Sequence, residues 1–419
     1  MMSLTCQVLK FLDEHWDRTS PLLLGYSGGP DSKALLYLLL EAGVRPHLAH
    51  VDHGWREESA AEAQALREEA DGLGLPFHTV RLEPEPSELA AREKRLGFFS
   101  SLFEKIPFQA LLLAHQADDW AETALKRVLE GAHLVYLSGM KPISSLRGMT
   151  IWRPLLSIAR RDLLRDLERR GLKAIEDATN RDPAYLRARM RVEMLPALSS
   201  SFGKEVSGNL ALLAKRSLQL HDYLDRKTEE AFAQLQKGPW GWVLPPSSLE
   251  PLEICHLLQR LKLNLSRTVL EGLADALAKK LAHRSFGPRL LADRGYFFYL
   301  AETFPRFAEP VVLREGVFYS GDWRVEISSL KKKASTWLDF FLGEASFTVP
   351  AGSYQVGLQE AGDRLEAKKL CQQKIPAFLR PHVPHLYGQE GWVSDLFSLQ
   401  SLEGYSVRFS CDTNHFCSV

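Results

Sequence analysis

The chain has little cysteine: five residues among 419, scattered along the sequence, with no Cys-x-x-Cys pair. An odd number without paired spacing argues against a disulfide framework and against a cysteine-rich zinc site. No apolar run approaches the roughly 18 residues of a membrane span. The N-terminus lacks the basic-then-apolar layout of a signal peptide. We therefore expect a cytoplasmic protein.

An excess of charge of either sign is also lacking, since Lys plus Arg and Asp plus Glu both total 52. This balance does not exclude a nucleic-acid partner, because a total says nothing about how charge is distributed. The composition, 45% hydrophobic and 25% charged, is that of an ordinary globular protein. At roughly 150 residues per domain, the length predicts two to three domains.

The first half alternates short apolar runs with amphipathic segments, which predicts a parallel sheet covered by helices on both faces. Ligands bind beyond the carboxyl ends of the strands in such a sheet. The predicted strands cover residues 21–26, 47–51, 77–80, 110–114 and 151–155. The predicted helices cover residues 32–42, 59–73, 87–103, 118–130 and 158–170.

The second half has a different pattern. Residues 211–283 are predicted to be helical, with a break at Gly238-Pro239-Trp240-Gly241. Leucines at helical spacing form a core-facing stripe: Leu270, Leu273, Leu277 and Leu281. From residue 289 the pattern is strand-rich, with one helical piece at 362–373. We predict an α/β domain, a helical domain and a small α+β domain.

A glycine-rich loop follows the first predicted strand and opens a helix. Its sequence is Ser27-Gly28-Gly29-Pro30-Asp31-Ser32. The glycines let successive N–H groups point at an anion, and the helix N-terminus favours negative charge. Asp31 suits such a site if Mg²⁺ neutralises the ligand. The loop is not a Walker loop, because no Gly-Lys-Ser/Thr follows, and the strand–loop–helix context disfavours a plain glycine turn.

The same residues also fit Gly-x-Ser-x-Gly, the nucleophile elbow of α/β-hydrolases, at Gly25, Ser27 and Gly29. That elbow usually follows several strands, whereas one predicted strand precedes it here. The second glycine also runs into Pro-Asp-Ser rather than into an apolar helix. This context disfavours a hydrolase.

Carboxylates cluster after the fourth predicted strand, in the segment from His115 to Glu122. Asp118, Asp119 and Glu122 can share one helix face, because they lie three and four residues apart. Acidic residues also favour helix N-termini for reasons of dipole alone. Because this segment and the loop both follow strands of one sheet, we expect the carboxylates to hold Mg²⁺ or an ammonium group beside the phosphates.

Two histidines follow the second predicted strand, at His50 and His53. A zinc site is disfavoured because no sulfur ligand lies nearby. We expect these histidines to line the nucleotide pocket.

The chain resembles the tRNA(Ile)-lysidine synthase family, a group within the N-type ATP-pyrophosphatases with a PP-loop. The resemblance lies in the loop Ser27 to Ser32 and in five further motifs. These are His50-Val51-x-His53-Gly54-x-Arg56, Ala91-Arg92-x-x-Arg95, His115-x-x-Asp118-Asp119-x-Ala121-Glu122-Thr123, Arg153-Pro154-Leu155-Leu156, and Glu176-Asp177-x-x-Asn180-x-Asp182-x-x-Tyr185-x-Arg187. A looser likeness covers residues 365–380.

The resemblance implies a Rossmann-like catalytic domain over residues 1–212, a mainly helical domain over 213–310 and an α+β domain over 311–419. The implied reaction is a carbon–nitrogen ligation: ATP adenylates the wobble cytidine of tRNA(Ile) with a CAU anticodon, and free L-lysine displaces AMP to give lysidine. The product decodes AUA instead of AUG. Because the family includes dimers, the chain is a candidate homodimer.

The resemblance also implies roles for individual residues. ATP would contact Ser27, Gly28, Gly29, Pro30, Asp31, Ser32, His50, His53 and His115. Magnesium would bind Asp31 and Asp118. Lysine and the reacting centre would be surrounded by Arg95, Asp119, Glu122, Asn180 and Arg191, and Arg187 would contact lysine or tRNA. Trp120 and Ala188 depart from the family pattern, which has Gln and Asn there.

A basic stretch runs from Arg153 to Arg191, with eleven arginines and lysines against six acidic residues. Such a stretch is either a solvated face or a footprint for RNA phosphates, and a neighbouring adenylation site favours the footprint. The C-terminal residues Lys368, Lys369 and Arg380 are predicted to contact the acceptor stem.

Other enzymes with this loop are disfavoured. Thiolation needs reactive or cluster-binding cysteines, and Cys6 is the only cysteine before Cys255. Nothing resembles the glutaminase domain that an amidotransferase needs. A non-enzymatic tRNA-binding relative would not need the intact Asp31, Asp118, Asp119 and Glu122.

Overall fold

The computed structural model describes residues 3–52, 54, 59–83, 88–175, 186–329, 335–350, 352–358, 369–389, 391–397, 399 and 405–411. By contacts between Cα atoms the chain forms two compact units, residues 1–222 and 223–419. No helix among the described residues is both long and apolar enough to span a membrane. The division into domains at 1–212, 213–310 and 311–419 stays a prediction.

A six-stranded sheet forms the centre of the first unit. Its strands are β1 (Leu22–Gly25), β2 (His47–Asp52), β3 (Phe77–Arg81), β4 (Ala110–Leu112), β5 (Ile143–Leu146) and β6 (Met149–Trp152). They lie in the order β3-β2-β1-β4-β6-β5. All neighbours are parallel except β5, which pairs antiparallel with β6. The predicted Rossmann-like parallel sheet is confirmed, and β5 is an addition that the sequence pattern did not show.

Helices surround this sheet. They are α1 (Leu4–His15), α2 (Pro30–Glu41), α3 (Ser59–Gly72), α4 (Glu88–Lys105), α5 (Ala117–Leu129), α6 (Arg160–Arg169), α7 (Leu186–Arg189) and α8 (Leu195–Phe202), with a π-helical turn at Met190–Met194. The helix α9 (Ser207–Ala233) follows them, and the division between the two units falls within it.

The core of the first unit is built around β1 and α2. In α2, Leu35, Leu36, Leu38 and Leu39 are all fully buried, so this helix is apolar around most of its circumference. Burying each leucine contributes about 1.5–3 kcal/mol. The rigid packing of α2 fixes the position of its N-terminus, where the glycine-rich loop ends.

The second unit corrects the prediction that residues 211–283 are helical apart from one break. Two strands interrupt the helices, because the segment Gly238-Pro239-Trp240-Gly241 turns between β7 (Gln236–Gly238) and β8 (Gly241–Leu244). Two helices follow, α10 (Pro251–Arg260) and α11 (Arg267–Ala278). The leucine stripe is correct, since Leu270, Leu273 and Leu277 are buried and Leu281 packs against the same core.

The rest of the second unit is mostly antiparallel strands. They are β9 (Arg284–Ser285), β10 (Leu290–Asp293), β11 (Tyr296–Leu300), β12 (Val311–Val312), β13 (Gly316–Ser320), β14 (Trp323–Ser328), β15 (Glu344–Val349), β16 (Gln355–Leu358), β17 (Pro384–Gly388), β18 (Gly391–Asp395) and β19 (Tyr405–Cys411), with a short helix α12 (Trp337–Phe341). They form three sheets, ordered β7-β8-β11-β10-β9, β12-β16-β17-β18 and β13-β14-β19-β15. The predicted strand-rich end is confirmed. Of the predicted helical piece at 362–373, residues 362–368 lie outside the described residues.

Candidate active site

The glycine-rich loop leaves the N-terminus of α2 open to a ligand. Gly28 has a φ of +75° and Gly29 is extended, so Pro30 begins the helix without a side-chain cap. The Ser27 and Ser32 hydroxyl oxygens lie 3.1 Å apart, and the Ser32 hydroxyl donates to the Gly29 carbonyl at 3.0 Å. The first N–H groups of a helix have no partner within the helix and favour an anion.

Packing around Gly28 excludes any side chain. A Cβ atom there would lie 2.7 Å from Leu66 Cδ2 and 2.8 Å from Ile175 Cδ1. The Gly28 carbonyl also accepts a hydrogen bond from the Ile175 N–H at 3.0 Å. The loop is therefore pressed against α3 and the segment after α6, and only glycine fits this contact.

A partly buried glutamate, Glu69, contacts residues at both ends of the loop. Glu69 on α3 accepts hydrogen bonds from the Tyr26 hydroxyl at 2.6 Å and the Tyr37 hydroxyl at 3.1 Å. The Lys33 ammonium lies 3.1 Å from the same carboxylate and donates to the Lys173 carbonyl at 2.8 Å. Tyr26 directly precedes the loop and Lys33 directly follows it. Sequence reasoning missed this group, because nothing in the spacing links residue 69 to the loop.

The carboxylates of α5 lie at its N-terminus, as predicted. Asp119 closes a capping box, since its Oδ2 atom accepts from the Gln116 N–H at 3.1 Å, while the Gln116 side chain accepts from the Asp118 N–H at 2.6 Å. The Asp118 Oδ2 atom accepts from the backbone N–H of Arg160 at 2.8 Å, at the start of α6. These bonds fix the two aspartates at the carboxyl end of β4.

One arginine bridges two of the carboxylates. The Arg191 guanidinium donates to Asp119 Oδ1 at 2.9 Å and to Glu122 Oε1 at 2.7 Å. Arg191 lies in the π-helical turn, a rare geometry that is common at functional sites. Burial raises the pKa of Glu122, and the Arg191 guanidinium partly opposes that shift. The second Glu122 oxygen is buried and has no hydrogen-bond partner among the described residues.

Asp31 of the loop belongs to the same site. Burial and the Asp119 charge raise the pKa of Asp31 to about 6, although Arg160 and Arg191 oppose the shift. The Arg160 Nε atom lies 3.7 Å from Asp31 Oδ1, an oxygen that is buried and accepts no hydrogen bond from any described residue. A divalent cation would relieve this cost, and carboxylate oxygens are the ligands that Mg²⁺ prefers. The donor set therefore fits magnesium.

Comparisons with known proteins agree with this geometry. Residues 2–198 match the family model described as a PP-loop domain. The tRNA(Ile)-lysidine synthase of Chlamydia muridarum (strain MoPn / Nigg) is 39% identical over 235 residues, which cover 55% of this chain and 73% of that protein. The tRNA(Ile)-lysidine synthase of Protochlamydia amoebophila (strain UWE25) is 33% identical over 410 residues, which cover 91% of this chain and 90% of that protein. The chain belongs to the tRNA(Ile)-lysidine synthase family. It is therefore an ATP-using enzyme of the ligase type.

The remaining residues that the family resemblance implied fall into three groups. His50 is buried at the end of β2, with Nδ1 2.9 Å from the Tyr26 carbonyl oxygen, and burial lowers its pKa. Burial lowers the pKa of His115, and the charges of Arg95 and Arg187 are among those that add to the shift. His53, Asn180 and Lys368 lie outside the described residues.

The two predicted tRNA contacts that can be described lie in the second unit. Lys369 is exposed. Arg380 donates through Nε to the Ile375 carbonyl at 3.0 Å, so part of its guanidinium has a structural role. Whether these family positions contact tRNA stays a prediction.

The basic stretch is not one solvated face. Arg153 is 9% exposed, and Arg160 and Arg191 turn towards the carboxylates. Asp166 pairs with Arg169 at 2.5 Å and with Arg170 at 2.6 Å. Sequence reasoning treated these residues as one group, whereas the fold gives its members separate roles.

Replacing Asp31 by asparagine should stabilise the protein at neutral pH in the absence of metal and ATP. The unfolded chain has the ordinary aspartate pKa of 3.8, and the folded pKa is about 6. Ionised Asp31 therefore destabilises the folded state as pH rises between these values, and this cost is fully present above pH about 6. We expect a gain in the free energy of unfolding of roughly 1–3 kcal/mol.

Urea unfolding with a chelator, at neutral pH and near pH 4, measures this effect. The gain should fall to a small fraction near pH 4, where Asp31 is protonated in the folded state and roughly half protonated in the unfolded chain. Asp162→Asn is the matched control, because Asp162 on α6 pairs with Arg161 and Arg165 at the surface. A less stable Asp31→Asn protein at neutral pH would contradict the prediction.

Proposed function

We propose that the enzyme joins L-lysine to C2 of the wobble cytidine in tRNA(Ile) with a CAU anticodon, forming lysidine in the cytoplasm and releasing AMP and pyrophosphate. The modified anticodon would decode AUA instead of AUG. The observation that carries this proposal is the bridge from Arg191 to Asp119 and Glu122, beside a phosphate-binding loop. This pairing offers an acidic site for an amine next to a site for ATP.

In the proposed first step, the cytidine O2 atom attacks the α-phosphorus of ATP and pyrophosphate leaves. The N–H groups at the N-terminus of α2 and the Ser27 and Ser32 hydroxyls would bind the phosphates. Magnesium held by Asp31 and Asp118 would neutralise phosphate charge when bound. Arg160 lies against Asp31 and would keep positive charge beside the departing group.

In the proposed second step, the lysine ε-amine attacks C2 of the adenylated cytidine. The new C–N bond forms as the C2–O bond breaks, and AMP leaves with the electron pair. An ammonium group cannot attack, so Asp119 or Glu122 must bind it and accept a proton. Arg191 would hold the two carboxylates in place, because it donates to both.

Incorporation of labelled lysine into tRNA(Ile) with ATP, together with pyrophosphate release, tests the proposal. We expect one pyrophosphate per lysine, and no incorporation when the wobble cytidine is replaced by uridine. The methionine tRNA with the same anticodon is the control for selectivity. ATP consumption with a different amine or tRNA would keep the enzyme class and reject this substrate.

We also propose that the second unit binds the tRNA through Lys368, Lys369 and Arg380. Lys369→Gln should weaken tRNA binding several-fold and leave the kcat for lysine unchanged. The salt dependence of binding should fall by about 0.9 in the slope of log K against log salt, the value for one lost phosphate contact. Lys279→Gln is the control, because Lys279 is exposed and pairs only with Asp275 on α11. Equal tRNA affinity in both variants would reject the contact.

A further inference from the structure

Two adjacent strands are followed by basic side chains, Arg153 and His115, that the proposed chemistry does not use. The strands β4 and β6 are parallel neighbours, paired at Leu112 and Trp152. Arg153 directly follows β6, and His115 lies three residues beyond the end of β4. Both side chains therefore start from the carboxyl edge of the sheet, where ligands bind in this class of fold.

The Arg153 guanidinium is buried and held rigidly. Its Nη1 atom donates to the Lys141 carbonyl at 2.8 Å and to the Ser144 hydroxyl at 2.9 Å. Its Nε atom is buried without a hydrogen-bond partner among the described residues, and so is the Nδ1 atom of His115. Arg153 is only 9% exposed. Leaving a charged donor buried and unpaired is costly, so this geometry favours an anionic ligand beside Arg153.

Two further arginines belong to the same group as Arg153 and His115. Arg92 on α4 is exposed, and its charge is among the causes that lower the pKa of Arg153 and the pKa of His115, after burial. Arg187 on α7 is also exposed. Within the described part of the chain, no carboxylate forms an ion pair with Arg92, Arg153 or Arg187. The group therefore has one buried arginine, Arg153, two exposed arginines, and a net positive charge.

Electrostatic effects agree with this arrangement. Burial lowers the pKa of Arg153 to about 10, and Arg92 adds to the shift. Burial lowers the pKa of His115 to about 3, and the charges of Arg153 and Arg187 add to that shift. His115 is therefore neutral at physiological pH and can donate one hydrogen bond to an anion.

The position of the group relative to the phosphate loop and the carboxylates limits which ligand it can bind. His115 directly precedes Gln116, the N-cap residue of α5, whose first turn carries Asp118 and Asp119, so the group borders the acidic site. The charges that most affect the pKa of Asp31 are those of Asp119, Arg160, Arg191 and Asp118. Arg92, Arg153 and Arg187 are not among them. The group therefore borders the acidic site rather than the phosphate loop.

We propose that Arg92, Arg153 and Arg187, with His115, bind a phosphodiester of the RNA substrate next to the nucleotide that reacts. This inference rests on the proposed function and assigns His115 to the RNA instead of to ATP. Several arginines, two of them exposed, suit a polyanionic backbone that passes over the site, whereas the single carboxylate of lysine would need one. Holding the flanking phosphate would position the cytidine between the loop and the carboxylates.

Binding of an anticodon stem-loop RNA tests the proposal. Two hairpins are compared: one with natural linkages, and one with uncharged methylphosphonates on both sides of the wobble cytidine. Arg92→Gln and Arg187→Gln are the variants, because both side chains are exposed and their loss leaves the core intact. Lys105→Gln is the matched control, an exposed lysine at the other end of α4.

We expect the full-length wild-type chain to bind the uncharged hairpin about tenfold more weakly, the loss typical of one charge-assisted hydrogen bond. Each arginine variant should bind the natural hairpin with a similar loss and show little further loss with the uncharged one. In the Arg92→Gln protein, the KM values for ATP and lysine should stay unchanged. The Lys105→Gln protein should behave like the wild type.

Two results would overturn the proposal. In the first, the losses from the variant and from the uncharged linkages add fully, so the arginine does not contact these phosphates. In the second, the variants raise the KM for lysine or for ATP and leave RNA affinity unchanged, so the anion is a carboxylate or an ATP phosphate. If the wild type incorporates no lysine, the proposed function fails, while the hairpin comparison still decides whether this group binds RNA phosphate.

Discussion

Replacing Asp119 by asparagine should lower lysine incorporation by ~10²–10⁴-fold, the usual contribution of a general base. The substitution keeps the size of the side chain and one oxygen for the capping box with Gln116. It removes the negative charge that pairs with Arg191 and that would bind the lysine ammonium. The tRNA affinity should not change, because Asp119 is not part of the proposed RNA contacts.

Glu122→Gln is the companion variant that separates the two carboxylates. Burial raises the pKa of Glu122, so if Glu122 accepts the proton, activity should be lost with falling pH at a higher value than for an ordinary glutamate. Asp162→Asn serves as the control for a lost surface charge.

Unchanged lysine incorporation by Asp119→Asn would remove Asp119 from the mechanism. Labelled lysine in single-turnover reactions is the measurement, because it isolates the chemical step from tRNA release.

Replacing Gly28 by alanine should abolish ATP binding and destabilise the first unit by roughly 2–5 kcal/mol. About 1–2 kcal/mol comes from a positive φ with a Cβ atom, and about 1–3 kcal/mol comes from overpacking. The clash is specific, since the new methyl would lie 2.7 Å from Leu66 and 2.8 Å from Ile175. If the loop moved to relieve this clash, the N–H groups that would bind the phosphates would also be displaced.

Gly43→Ala is a matched control for this prediction. Gly43 has the same φ of +75°, and no atom lies within 4 Å of the place that a methyl group there would occupy. The substitution should therefore cost only about 1–2 kcal/mol and leave ATP binding intact. Urea unfolding and ATP titration of both variants separate backbone strain from the clash. Equal stability losses in the two proteins would show that the contacts with Leu66 and Ile175 yield without cost.

The sequence predicted the parallel sheet well because each buried strand is a continuous apolar run next to a polar turn. It missed β5, a short edge strand in which Ser144 and Ser145 interrupt the apolar pattern. It also missed β7 and β8, because the apolar residues around Trp240 fit a buried helix as well as a buried strand. In these segments tertiary pairing decides the structure, and local periodicity does not reveal it.

The site was predicted in part for a similar reason. Asp118, Asp119 and Glu122 are close in sequence, and the carboxyl edge of the sheet brings them near Asp31. The partners Arg160 and Arg153 were not assigned to the site, because a basic stretch in sequence does not show which guanidinium groups turn inward. Their roles depend on backbone hydrogen bonds and burial that exist only in the folded chain.

The Glu69 carboxylate holds Tyr26 on one side of the phosphate loop and Lys33 on the other. A loop clamped at both ends loses its conformational freedom when the protein folds and not when the nucleotide arrives. ATP would therefore meet a loop that is already ordered, and little of the binding free energy would be needed to order it. Affinity for ATP should then depend mainly on electrostatics, and so on Mg²⁺ and ionic strength, rather than on a slow rearrangement of this loop.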